Sequence, residues 1–134
     1  SQEENIMYFA DTPTARIQKF EYSQDFKKLH ELDSNLIFND VGVPDGATMD
    51  CQNNYWSARV RGNCIICIDM KKEKILKKIN LPTATPTCLT FGGPDSSNLF
   101  VTSLRAEPIN DSKDGNLYKV ETNTQGQKQL LSDI

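Results

Sequence analysis

Two cysteines, one histidine and a Pro-Asp-Gly triplet mark where this sequence could do chemistry. Cys64-Ile65-Ile66-Cys67 has the C-x-x-C spacing of a redox dithiol or of half a zinc site. Its setting argues against both. Asn63 to Asp69 is a short β-branched run after Gly62, a strand signal. Residues three apart in a strand point to opposite faces, so the two sulfurs diverge. The chain has a single histidine, His30, within the strand-like Lys28-Leu29-His30-Glu31-Leu32, and no second C-x-x-C to complete a metal tetrad. Pro44-Asp45-Gly46 offers a carboxylate, yet on the motif alone Asp45 reads as a turn former. Asp11, Asp50 and Asp95 also fall at turn positions, where carboxylates stabilise connections between strands.

The elements that must position these groups are strands. Apolar residues alternate over short runs, as in Met7 and Phe9, then Leu117 and Val120. Gly, Pro, Asn and Asp punctuate them, as in Gly42-Val43-Pro44-Asp45-Gly46, Gly92-Gly93-Pro94-Asp95 and Asp114-Gly115-Asn116. The chain also repeats itself. Asn5-Ile6-Met7-Tyr8-Phe9, Asn54-Tyr55-Trp56 and Asn98-Leu99-Phe100 share a polar turn followed by an aromatic pair or Leu-Phe. Tyr8, Trp56 and Phe100 lie 48 and 44 residues apart, and Pro44 and Pro86 lie 42 apart. A repeat of about 45 residues holding four short strands is the size of a propeller blade. The expected fold is therefore all-β, about three blades of a β-propeller, with a partial blade at about 1–40, a blade at 41–84 and a blade with closing strands at 85–134. Propellers close with about 4–8 blades, so the ring needs residues from outside this sequence.

Bulk composition excludes several classes. Fifteen basic against 18 acidic residues give a net charge of −3, no field for nucleic acid or an anionic membrane. No stretch approaches the ~20 apolar residues of a membrane span. The polar, acidic opening Ser1-Gln2-Glu3-Glu4-Asn5 carries no signal peptide and suggests a start partway through a longer product. Reduced thiols and a cytoplasmic setting are expected, so the sequon Asn110-Asp111-Ser112 would carry no sugar. The polar tail from Thr122 is read either as an outer strand of the last blade or as a disordered end.

The repeat residues resemble a known family. Met7-Tyr8-Phe9-Ala10-Asp11-Thr12-Pro13-Thr14, Val43-Pro44-Asp45-Gly46-Ala47-Thr48-Met49-Asp50 and Pro86-Thr87-Cys88-Leu89-Thr90-Phe91-Gly92-Gly93-Pro94-Asp95 are similar, in order, to blades of the gluconolactonase, regucalcin (senescence marker protein) and luciferin-regenerating enzyme family. The match covers most of the chain and places it in the C-terminal part. The resemblance implies a six-bladed propeller with one divalent cation in its channel, Ca2+ or Zn2+, with Mg2+ or Mn2+ as alternatives. It also implies hydrolysis of sugar lactones or related esters.

By that resemblance Asp45 is a metal ligand and the base that activates water. Thr87 takes the place of Asp45 in the next blade if Pro44 and Pro86 are equivalent. Arg59, following the Trp56 strand, is expected at the channel mouth against substrate. The family's other ligands, a Glu and an Asn, have no match here, and one carboxylate cannot satisfy the 6–8 oxygens that Ca2+ takes. The expected partners are a lactone substrate and a missing N-terminal half or companion chain that completes the propeller. The alternative is a non-catalytic propeller that binds a ligand, a metal ion or a protein.

Overall fold

The computed structural model describes residues 5–105 and 113–128, and all that follows concerns those residues. The strands form three antiparallel meanders set side by side, the arrangement of successive propeller blades. The first sheet runs β1 (Ile6–Asp11), β2 (Arg16–Tyr22) and β3 (Leu29–Ile37). The second has four strands, β4 (Val43–Met49), β5 (Tyr55–Val60), β6 (Cys64–Asp69) and β7 (Lys74–Asn80). The third contains β8 (Pro86–Gly92), β9 (Asn98–Ser103) and β10 (Leu117–Glu121). The described residues include one short 3-10 turn, Asn39–Val41, and no helix long and apolar enough to cross a membrane.

The sequence repeat reappears in the backbone. Left-handed residues recur at Asn5 (φ 52°) and Asn53 (φ 64°), and again at Ala15 (φ 59°) and Asn63 (φ 52°), each pair 48 residues apart. A β-meander needs a sharp reversal at each turn, and a left-handed residue supplies it; asparagine tolerates that conformation better than alanine does.

Two apolar layers glue the sheets together. Tyr55, Cys64, Ile66 and Ile68 of the second sheet pack with Ile17 and Leu36 of the first. Trp56, Ala58, Ile65 and Cys67, from the opposite face of the same strands, pack with Leu89, Leu99 and Val101 of the third. The run Cys64–Ile68 is apolar throughout because β6 is covered on both faces.

Cys64 and Cys67 thus lie in different layers with their sulfurs on opposite faces. Burial pushes the Cys64 thiol up, and pushes Cys67 up to about 12, with the nearby Asp50 carboxylate adding to the effect. Burial likewise raises Tyr55 to about 12. A raised folded value favours the protonated fold, so these groups stabilise fully below the unfolded thiol value of about 8.5. That contribution is lost as pH climbs toward 12. Thiol titration with Ellman's reagent should count two reactive groups in the native protein, the exposed Cys51 and Cys88, and four after unfolding. A native count of four would contradict this packing.

The tail departs from the outer-strand expectation. Residues 122–128 do not form a further strand of the third sheet; they bridge its β8–β9 turn, where Thr122 N and Gly126 N donate to the Ser97 and Ser96 carbonyls, to the second sheet. Cys51 N donates to the Gln125 carbonyl at 2.8 Å, Gln127 N donates to the Met49 carbonyl at 3.2 Å, and Asp50 and Gly126 form an isolated bridge. Residues 129–134 and the sequon at 110–112 lie outside the described residues.

Candidate functional site

The inner strands β4 and β8 each carry an irregularity near the start, and the candidate residues sit on it. In the β4–β5 ladder Pro44 pairs with Arg59 and Ala47 with Ser57, so Asp45 and Gly46 together stand opposite Ala58. The triplet explains this bulge. Pro44 has no N–H to give the ladder, and Gly46 brings no side chain to the inner-strand contact. A bulge re-aims the side chain it carries, and bulges recur beside active sites. Here Asp45 is half-buried and faces a cleft of about 310 Å3 between β1 and β4, shared with Tyr8, Thr48, Met49 and Tyr55. The Tyr8 and Tyr55 rings meet edge to face at 5.6 Å and form one wall.

Strand β8 repeats the device. Pro86 pairs with Ser103 and Cys88 with Thr102, which leaves Thr87 as the extra residue. The Thr87 hydroxyl lies 2.9 Å from that of Thr102, which also accepts from the Cys88 amide at 3.2 Å. The two bulges are neighbours in space, since a Cβ on Gly46 would stand 2.7 Å from Cys88 Cα. Asp45 and Thr87 therefore occupy matching places on adjacent inner strands, while Thr87 does not line the Asp45 cleft.

Arg59 lies elsewhere than at the channel mouth. It is fully buried, on the same face of β5 as Tyr55 and Ser57. Its Nε donates to the Val41 carbonyl at 3.4 Å, and its Nη2 to those of Phe38 at 3.1 Å and Gly42 at 2.6 Å. Nη1 is buried and has no hydrogen-bond partner among the described residues. Burial lowers this guanidinium to about 10, partly offset by Cys64 and Tyr55, which leaves it charged at neutral pH.

The turn carboxylates do structural work. Asp50 is buried and accepts from the Gln52 and Asn54 amides, both at 2.9 Å, from Asn54 Nδ2 at 3.1 Å and from Trp56 Nε1 at 3.0 Å. Asp95 accepts from both the amide and the hydroxyl of Ser97, and those bonds hold its carboxyl below the usual range. The lining by Tyr8, Thr48 and Tyr55 was not foreseen, because the cleft forms between two sheets.

A calcium ion needs 6–8 oxygen ligands. No group of three or more His, Cys, Asp or Glu side chains converges among the described residues. The residues present therefore do not make a divalent-cation site by themselves; Asp45 would supply one ligand of several.

Known proteins share this arrangement. The putative sugar lactone lactonase YvrE of Bacillus subtilis is 29% identical over 131 residues, covering 93% of this chain and 45% of its own. A luciferin-regenerating enzyme structure superposes with a TM-score of 0.83 at 29% identity, covering 94% of this chain and 44% of that one. A calcium-binding regucalcin from Agrobacterium tumefaciens shows the same fold, with a TM-score of 0.80 at 22% identity, covering 97% and 46%. The chain spans less than half the length of the curated relatives it matches. Its residues 1–105 match the model of the SMP-30/gluconolactonase/LRE-like region, and the chain belongs to that family.

Proposed function

We propose that this chain carries one part of the site of a metal-dependent lactonase, acting on a sugar lactone or related ester in the propeller's central channel. The observation that carries this reading is Asp45, turned out of its strand by the Pro44–Ala47 bulge into the β1–β4 cleft. There its carboxylate takes a proton from water as the water oxygen attacks the lactone carbonyl. The ring C–O bond then breaks, the leaving ring oxygen takes the proton back from Asp45, and a hydroxy acid results. A calcium or zinc ion would draw Asp45 in as one ligand, its remaining oxygens coming from blades outside this sequence. Thr87 adds a hydroxyl on the neighbouring bulge that can meet substrate. Lactonases and regucalcins among the relatives support this reading.

In native mass spectrometry with calcium or zinc supplied, the propeller completed by companion blades should retain one ion that chelator strips. Asp45→Asn should retain it at least about tenfold more weakly; equal retention would remove Asp45 from the site. In a propeller completed by companion blades, Asp45→Asn should slow lactone hydrolysis, followed by acid release at constant pH, by about 100-fold or more. A single carboxylate also suits a propeller that binds without catalysis. Lactone binding without turnover in the completed ring would decide for that alternative.

A further inference from the structure

We propose that Arg59 is a positioning residue for Asp45: its buried guanidinium clamps the segment that leads into the bulge and sets where the carboxylate emerges. The proposal rests on the reading of Asp45 as the reacting carboxylate.

The start of β4 is short of ladder bonds. Pro44 gives no amide hydrogen, and the following bulge interrupts the pairing with β5. Arg59 sits across from Pro44 and bonds instead to three carbonyls just upstream, those of Phe38, Val41 and Gly42. Gly42 is left-handed at φ 76°, and its backbone rests on the β5–β6 turn: a Cβ there would stand 2.5 Å from Gly62 N. The clamp therefore ends three residues before Asp45, and Val43 and Pro44 are a short, stiff link between the two.

The third sheet is the internal comparison. There the residue opposite the proline is Ser103, whose hydroxyl donates to Asn116 O at 2.8 Å. The segment before Pro86 is tied without an arginine: the Leu104 amide donates to the Thr85 carbonyl, the Thr85 hydroxyl donates to the Leu104 carbonyl, and Asp114 accepts from the Thr83 hydroxyl and the Ala84 amide. The buried arginine is thus matched to the bulge that bears a carboxylate, not to the one that bears a hydroxyl. Burying a guanidinium whose bonding partners are all carbonyls is costly, and one Nη nitrogen is left over. An apolar residue of similar volume would fill the space with less penalty, which points to a geometric requirement at this place.

The test uses the whole chain and two readouts. In hydrogen exchange followed by mass spectrometry, Arg59→Lys should speed exchange of residues 38–46 about tenfold or more, while β9 (98–103) keeps its protection. A lysine keeps the charge but not the fork that reaches several carbonyls. In protein carrying 13C-labelled Asp carboxylates, the Asp45 signal, identified as the one lost in Asp45→Asn, should move in Arg59→Lys. An unmoved signal with unchanged exchange at 38–46, or exchange raised equally in every sheet, would overturn the proposal. In the propeller completed by companion blades, lactone hydrolysis left unchanged by Asp45→Asn would instead sink the lactonase reading, with the clamp still standing.

Discussion

Asp50→Ala should cost about 3–5 kcal/mol of folding stability, a large share of the 5–15 kcal/mol typical of a domain. The carboxylate is 1% exposed and satisfies two backbone amides, the Asn54 side chain and the indole N–H of Trp56. Removing it strands these donors where the fold shuts out most water, at about 1–3 kcal/mol for each truly buried group. Trp56 is 2% exposed in the layer between the second and third sheets, so its ring loses its anchor as well. Asp50→Asn should cost less, about 2 kcal/mol, since it keeps one acceptor oxygen but turns an amide toward other donors. Urea unfolding followed by Trp56 fluorescence measures both. A loss below about 1 kcal/mol for Asp50→Ala would mean that the turn holds without its carboxylate.

The three-sheet architecture was legible because each turn states its own geometry. Asn5 and Asn53 stand 48 residues apart in the sequence and both adopt the left-handed conformation just before a strand. The C-x-x-C could be set aside for a similar reason: alternation along a strand is a local property, and it placed Cys64 and Cys67 in opposite layers. The path of residues 122–128 was not legible. Its bonds to Met49 and Cys51 join segments more than 70 positions apart, and no local pattern encodes such a contact.

The candidate site divides along the same line. The Pro-Asp-Gly triplet alone read as a turn and the family resemblance singled out Asp45, whereas the triplet lies within β4 as a bulge. What Asp45 faces was not readable, because Tyr8 reaches its cleft from another sheet. Arg59 was expected at the channel mouth because it follows the Trp56 strand. The alternation Tyr55, Ser57, Arg59 already put it on an inward face, and tertiary packing overrode the general preference of arginine for water.

Gly62→Ala is the second large effect, about 3 kcal/mol and a fall of about 10 °C in Tm. The φ of Gly62 is not left-handed, so the cost is contact rather than backbone strain. A Cβ there would overlap the Val41 carbonyl oxygen and stand 2.7 Å from its carbon, with Arg59 Cβ at 3.0 Å. A backbone carbonyl cannot swivel aside as a side-chain end can, so the 38–42 segment must lift. Lifting it breaks the Arg59 bonds to Val41 and Gly42 and lets the Asp45 bulge drift. Gly92→Ala is the control: its Cβ would meet only the Phe100 ring, at 3.1 and 3.2 Å, and a ring can tilt. It should cost less than about 1 kcal/mol. If thermal unfolding places the two variants within that margin of each other, the glycine seat is not what holds the segment, and Arg59 alone must bear its position.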